Sequence, residues 1–217
     1  MKKGLTELVF ILDKSGSMGG LESDTIGGYN AMLNKQKKLP GECYVTTVLF
    51  DHGYELLHDR IEIRAISPIS SAQYQVGGTT ALLDALGRTI FKVENVQKHT
   101  ERDYRADKVL FVIITDGHEN SSREFSASKV KTLIEQKKVD QGWEFVFLGA
   151  NIDAVETAGR YGIAPDRAQS FHADEEGIRL NFQVMSDAVA SFRTKAAVPA
   201  DWQEKIEDDY KRRGGDQ

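Results

Sequence analysis

Three short stretches hold the oxygen chemistry of this sequence. Asp13-Lys14-Ser15-Gly16-Ser17 spaces one carboxylate and two hydroxyls at alternate positions. In an extended loop that alternation puts the three side chains on related sides. Carboxylate and hydroxyl oxygens make a hard donor set, suited to Mg²⁺ or Mn²⁺ more than to Zn²⁺. Asp116 stands in Ile113-Ile114-Thr115-Asp116-Gly117, and Thr79-Thr80 follows the Gly77-Gly78 pair. Alone, an Asp-x-Ser-x-Ser string arises by chance in roughly a few per cent of chains this long. It reads equally well as an Asx or Ser turn capping a helix. Its meaning depends on where the fold delivers the other two stretches.

The elements that must position them alternate between strand and helix. Leu5 to Leu12 is short, β-rich and bounded by turn formers, which predicts a buried strand. A helix with Ile26, Met32 and Leu33 on one face is predicted to run to about Lys38, where Pro40-Gly41 breaks it. Cys43 to Phe50 is a second strand, and Tyr54 to Leu57 can fold back antiparallel after the Asp51-His52-Gly53 turn. Thr79 to about Val96 reads as a helix, with Thr79 as its cap. Val109 to Ile114 is the most apolar run, fitting a central parallel strand covered on both faces. Helices at Ser126 to Lys138, Asp153 to Tyr161 and Asp174 to Phe192 flank a strand at Trp143 to Leu148 and a short edge strand at Ala168 to Phe171. This pattern predicts an α/β fold with a mostly parallel sheet, one antiparallel edge strand and helices on both faces. In such sheets ligands collect beyond the carboxyl ends of the strands. Asp13 and Asp116 both sit at such ends and converge if their strands are neighbours. A threonine hydroxyl entering from the Gly77-Gly78 turn reaches the same crevice.

The three motifs, with Gly77-Gly78-Thr79-Thr80-Ala81-Leu82-Leu83-Asp84-Ala85-Leu86 as the middle one, resemble the von Willebrand factor A (vWA) family in order and separation. The resemblance covers about residues 5 to 192 and implies a Rossmann-like vWA fold. Thr25-Ile26-Gly27-Gly28-Tyr29-Asn30 and Gly142-Trp143-Glu144-Phe145-Val146-Phe147-Leu148-Gly149-Ala150-Asn151 are similar to stand-alone bacterial and phage members rather than to animal adhesion proteins. What the resemblance implies is a metal-ion-dependent adhesion site (MIDAS) holding Mg²⁺ or Mn²⁺. Ser15 and Ser17 would ligate directly, and Thr80 would be the threonine ligand, with Thr79 as runner-up. Asp13 and Asp116 would act directly or through water. The remaining position would take water or an Asp or Glu carboxylate of a protein partner. Bacterial members often serve as regulatory or scaffold partners.

The rest of the sequence narrows the function classes. A formal charge of −5 over 217 residues disfavours general electrostatic binding of nucleic acid. The single cysteine, Cys43, excludes an internal disulfide and reads as a small buried hydrophobe. No run approaches 18 apolar residues, so no membrane span is expected, and the expected compartment is cytoplasmic. Asp51 reads as a turn residue, Lys14 as a solvated lysine, and His118, Glu119, Asn120 and Arg123 as a solvated loop able to shape partner choice. Asp84 reads as structural. The five histidines show no paired zinc spacing. The expected function is therefore non-enzymatic, a metal-dependent protein-binding or scaffold module. The alternative is a metal-dependent hydrolase or phosphatase using Asp13, which lacks the Asp-x-Asp pair and an evident general base. A dinucleotide-binding domain is weaker still, because Gly-x-Gly-x-x-Gly is absent. The expected organisation is one domain over residues 1–195 and a polar extension over 196–217. In that extension Trp202, Ile206 and Tyr210 recur every four residues, predicting a short helix packed on the domain before a frayed end at Gly214 to Gln217.

Overall fold

The computed structural model describes residues 1–214, so the expected frayed end lies, beyond Gly214, outside the described residues. In chain order the elements are β1 (Lys2–Asp13), α1 (Glu22–Lys37), β2 (Cys43–Phe50), β3 (Tyr54–Glu62), α2 (Leu82–His99) and β4 (Ala106–Thr115). There follow α3 (Ala127–Gln141), β5 (Glu144–Ala150), α4 (Ala154–Arg160), β6 (Ala168–Phe171), α5 (Glu175–Lys195) and α6 (Glu204–Arg212). The six strands form one sheet in the order β3-β2-β1-β4-β5-β6. Only β3 is antiparallel, paired to β2 at the edge. The alternation of strands and helices dictates this outcome, since parallel neighbours need crossovers that lie on the sheet faces.

Alternate residues of the central strands feed two cores. Leu8, Phe10 and Leu12 of β1 join Tyr29, Phe182 and Met185 under α1 and α5. Val9 and Ile11 join Leu86, Ile90, Phe111 and Phe147 on the opposite face, with α2, α3 and α4. Burial on both faces explains the unbroken apolar run of β4. Cys43 is fully buried, and burial pushes its thiol up to about 12, so it is no nucleophile near neutral pH.

Helix ends follow local chemistry. Ser126, Asp153 and Asp174 cap α3, α4 and α5 through their side-chain oxygens. One expected cap differs. The second helix starts at Leu82, not Thr79, and Ala81 is its N-cap residue. The reason is competition for backbone donors. The Thr80 amide is taken by the Asn120 side chain at 2.9 Å and the Ala81 amide by the Asp51 carbonyl at 2.8 Å. Thr79 and Thr80 are thus held in an extended lead-in beside the sheet edge.

The C-terminal segment returns to the domain. Trp202 and Ile206 are buried in the α1/α5 core. Arg213 grips the Asp174 carboxylate at 2.6 and 3.2 Å. Among the described residues no helix is long and apolar enough to cross a membrane.

Candidate functional site

The strand order makes β1 and β4 neighbours at the point where the sheet's connections diverge to either side. That is the place where an open α/β sheet opens a crevice at its carboxyl edge. Register pairs Leu12 with Ile114, so Asp13 and Thr115 end the two strands at one level, and Asp116 follows. The two carboxylates expected to converge do so.

Asp13 is 1% exposed and held by donors on both oxygens. Its Oδ1 accepts from the Ser15 amide at 2.7 Å. Its Oδ2 accepts from the Thr115 hydroxyl at 2.6 Å and from the Asp116 amide at 3.3 Å. The buried Tyr74 phenol donates to the Asp13 carbonyl. Burial, and next the Asp13 charge, push that phenol upward, so it stays a donor.

The hydroxyls arrive from two loops that are tied together. The Gly16 amide donates to the Gly78 carbonyl at 3.1 Å, and the Gly77 amide to the Lys14 carbonyl at 2.9 Å. Gly78 has φ +75°, a left-handed conformation that glycine adopts without strain. This pairing brings Thr80 beside the serine loop. Ser15 and Ser17 hydroxyls lie 3.1 Å apart. A Cβ on Gly117 would stand 3.3 Å from the Ser17 hydroxyl and 3.8 Å from that of Thr80. Gly117 therefore leaves open the space between them. Thr80 is buried and Thr79 exposed, so Thr80 is the threonine placed at the crevice.

Asp116 is buried beside Asp13. Its Oδ1 accepts from the Asn151 amide at 2.8 Å. Its Oδ2 is buried and has no hydrogen-bond partner among the described residues. Burial pushes the acid up to about 6, and the neighbouring Asp13 charge adds to this against the lowering effect of Asn151.

These features fit a hard divalent cation. A buried, unpartnered carboxylate oxygen lies beside three clustered hydroxyls and a second buried carboxylate. Among the described residues, no three His, Cys, Asp or Glu side chains come together as a metal cage. Hydroxyl and water oxygens would have to complete any coordination here, which favours Mg²⁺ or Mn²⁺ over Zn²⁺.

The surrounding polar residues depart from the solvated picture. Lys14 pairs with Glu55 at 2.7 Å and is mostly buried, so it does not extend toward a partner. Glu119 accepts from the Leu83, Ser121 and Ser122 amides, and Asn120 binds the backbone of Thr80 in both directions. The loop after Asp116 is thus pinned to the start of α2; its His118 and Arg123 side chains remain exposed. Asp51 closes its turn by accepting from the Gly53 amide at 2.6 Å. Asp84 accepts three backbone amides, Arg123 to Phe125, as a structural residue does. Asn151, Thr115 and Tyr74 escape a reading of the sequence alone. A signal exists for the first two, because each sits at the carboxyl end of a central strand next to Asp116.

No family model and no curated protein matches the sequence. Solved structures do. A von Willebrand factor type A protein from Catenulispora acidiphila aligns at TM-score 0.59 and 14% identity, over 86% of this chain and 43% of that one. The ArnB paralog VWA2 from Sulfolobus acidocaldarius aligns at TM-score 0.54 and 16% identity, over 84% and 44%. The fold is the von Willebrand factor A fold. The pilus adhesin SpaC from Lactobacillus rhamnosus GG also shares it, at TM-score 0.64 and 13% identity, over 88% of this chain and 30% of that one. The chain spans less than two thirds of the length of each. At these identities the likeness concerns the vWA fold alone, and the use of the crevice has to be argued from its own residues.

Proposed function

We propose that this vWA-fold domain is a metal-dependent protein-binding module. Ser15, Ser17 and Thr80 supply hydroxyl ligands to Mg²⁺ or Mn²⁺, and Asp13 and Asp116 supply charge, directly or through water. The observation that carries the reading is the buried Asp116 Oδ2 without a partner, beside clustered hydroxyls. An isolated buried carboxylate is costly, and a cation offsets that cost. Two carboxylates balance the charge of a divalent ion. A ligand position left open would then attract an Asp or Glu of the partner.

The reading assigns no catalytic residue. Three donors hold the Asp13 carboxylate in place, which suits a fixed charge at the site. Calorimetric titration of Mg²⁺ and Mn²⁺ into the wild type and into Ser15→Ala/Ser17→Ala tests the ligand set. Binding that survives the double substitution sinks it. A broad phosphatase screen run beside it tests the enzymatic alternative: metal-dependent turnover lost in Asp13→Asn would replace this proposal. A pull-down with and without chelator tests the partner, and a partner set indifferent to chelator argues against a metal bridge.

A further inference from the structure

Asn151 stands at the carboxyl end of β5, where the chain turns into α4. Residues of β5 run beside β4, with Gly149 level with Thr115, so Asn151 lies one residue beyond the level of Asp116. Its backbone has φ +55°, a region that L-residues rarely adopt, although Asn tolerates it better than most. Glycine would meet that conformation with less strain. What asparagine adds is an amide, and that amide donates to Asp116 Oδ1 at 2.8 Å. The bond fixes one oxygen of a buried carboxylate and leaves the other unpartnered. Without it Asp116 is free to rotate and to satisfy Oδ2 elsewhere.

Asn151 also faces outward. It lines a polar cavity of about 430 Å³ together with His118, Asp153, His172 and Tyr210. It therefore stands between the Asp116 carboxylate and a second recess.

We infer that Asn151 is the positioning residue of the cation site, holding Asp116 so that its free oxygen serves the ion. This rests on the proposed cation-binding reading of the crevice. Residues that orient metal ligands through hydrogen bonds contribute about 10- to 100-fold to metal affinity. A role confined to the turn into α4 would need only the left-handed backbone.

Asn151→Gly separates the two, because it keeps the turn and removes the amide. Mn²⁺ affinity, read by calorimetry, is expected to fall about 10- to 100-fold. The cation-free urea midpoint is expected to fall modestly, because Asp116 Oδ1 loses its donor while the turn is kept. Wild-type Mn²⁺ affinity in Asn151→Gly, with Ser15→Ala/Ser17→Ala losing binding, would overturn this inference and leave the cation site standing. A loss of affinity in Asn151→Ala, which strains the left-handed turn, with none in Asn151→Gly would assign Asn151 to the turn and also overturn it. Absence of Mn²⁺ binding by the wild type would overturn both readings together.

Discussion

The Thr115 hydroxyl donates to Asp13 Oδ2 at 2.6 Å, joining the ends of two neighbouring strands inside the candidate site. With the Ser15 amide on the other oxygen, the Asp13 carboxylate is oriented by the protein itself. Thr115→Val is nearly isosteric and leaves that buried oxygen one donor short. A hydrogen bond to a charged group contributes about 1.5–3 kcal/mol. The urea midpoint is expected to fall accordingly at unchanged m-value, and Thr115→Ser to restore most of it. An unchanged midpoint in Thr115→Val would show that the bond contributes nothing net.

A cation that binds only the folded state must raise apparent stability with its concentration. At a hundred times the dissociation constant the gain is about 2.7 kcal/mol. Thermal unfolding of the wild type is expected to move upward along a Mg²⁺ or Mn²⁺ series and to return on chelation. Thr80→Ala removes a hydroxyl at the crevice and should flatten that series while leaving the cation-free transition close to wild type. Equal shifts in both proteins would remove Thr80 from the ligand set.

The mostly parallel sheet and its antiparallel edge are legible in the sequence because period and punctuation report them directly, whereas the strand order that makes β1 and β4 neighbours is not. Strand ends can be counted, so Asp13 and Asp116 can be set at one edge without knowledge of any contact. Side-chain partnerships are less accessible. Lys14 reads as solvated because nothing local reveals Glu55, which comes from a strand forty-one residues on. Glu119 and Asn120 read as loop polarity, yet they satisfy backbone donors at the start of α2, which only the folded chain brings near. Thr79 fails as a cap for the same reason: distant acceptors claim the amides a cap would serve. Long-range hydrogen bonds leave no periodic trace in sequence, whereas burial does.

Asp116 gives the domain a distinctive pH response. Its folded value is about 6, above the ordinary 3.8. The folded state therefore holds this proton more tightly than the unfolded chain. The stabilisation is complete below about pH 4 and is lost as pH rises through about 6. A tenfold difference in proton affinity corresponds to about 1.4 kcal/mol, so ionisation of this group costs on the order of 2–3 kcal/mol at pH 7 without a cation. Asp116→Asn should be more stable than the wild type at pH 7 in chelator and little different at pH 4. Cation binding runs the other way, because proton and ion compete for the same oxygens, so affinity should weaken as pH falls below 6. A flat difference between wild type and Asp116→Asn across pH 4–7 would contradict this account.

Two adjacent glycines on α1 offer a test of helix packing with opposite signs. Gly27 and Gly28 both lie inside a helix, where glycine is about 0.5–1 kcal/mol less favourable than alanine. A Cβ at Gly27 meets nothing within 4 Å, so Gly27→Ala should stabilise by about that amount. A Cβ at Gly28 would stand 2.3 Å from Cδ2 and 2.8 Å from Cγ of Phe182. Phe182 is buried on α5 and meets Tyr29 edge-on with ring centroids 6.4 Å apart, so swinging its ring away breaks that contact. Gly28→Ala should therefore push α1 and α5 apart or force Phe182 off its rotamer, at a cost of about 1–3 kcal/mol that outweighs the helical gain. Gly28→Ala should cost less in a Phe182→Ala background than in the wild type, because alanine lacks the Cγ and Cδ2 atoms that the new methyl would meet. Urea midpoints of these proteins decide the matter. If Gly28→Ala proves as stabilising as Gly27→Ala, the close approach of the two helices is not what requires glycine at 28.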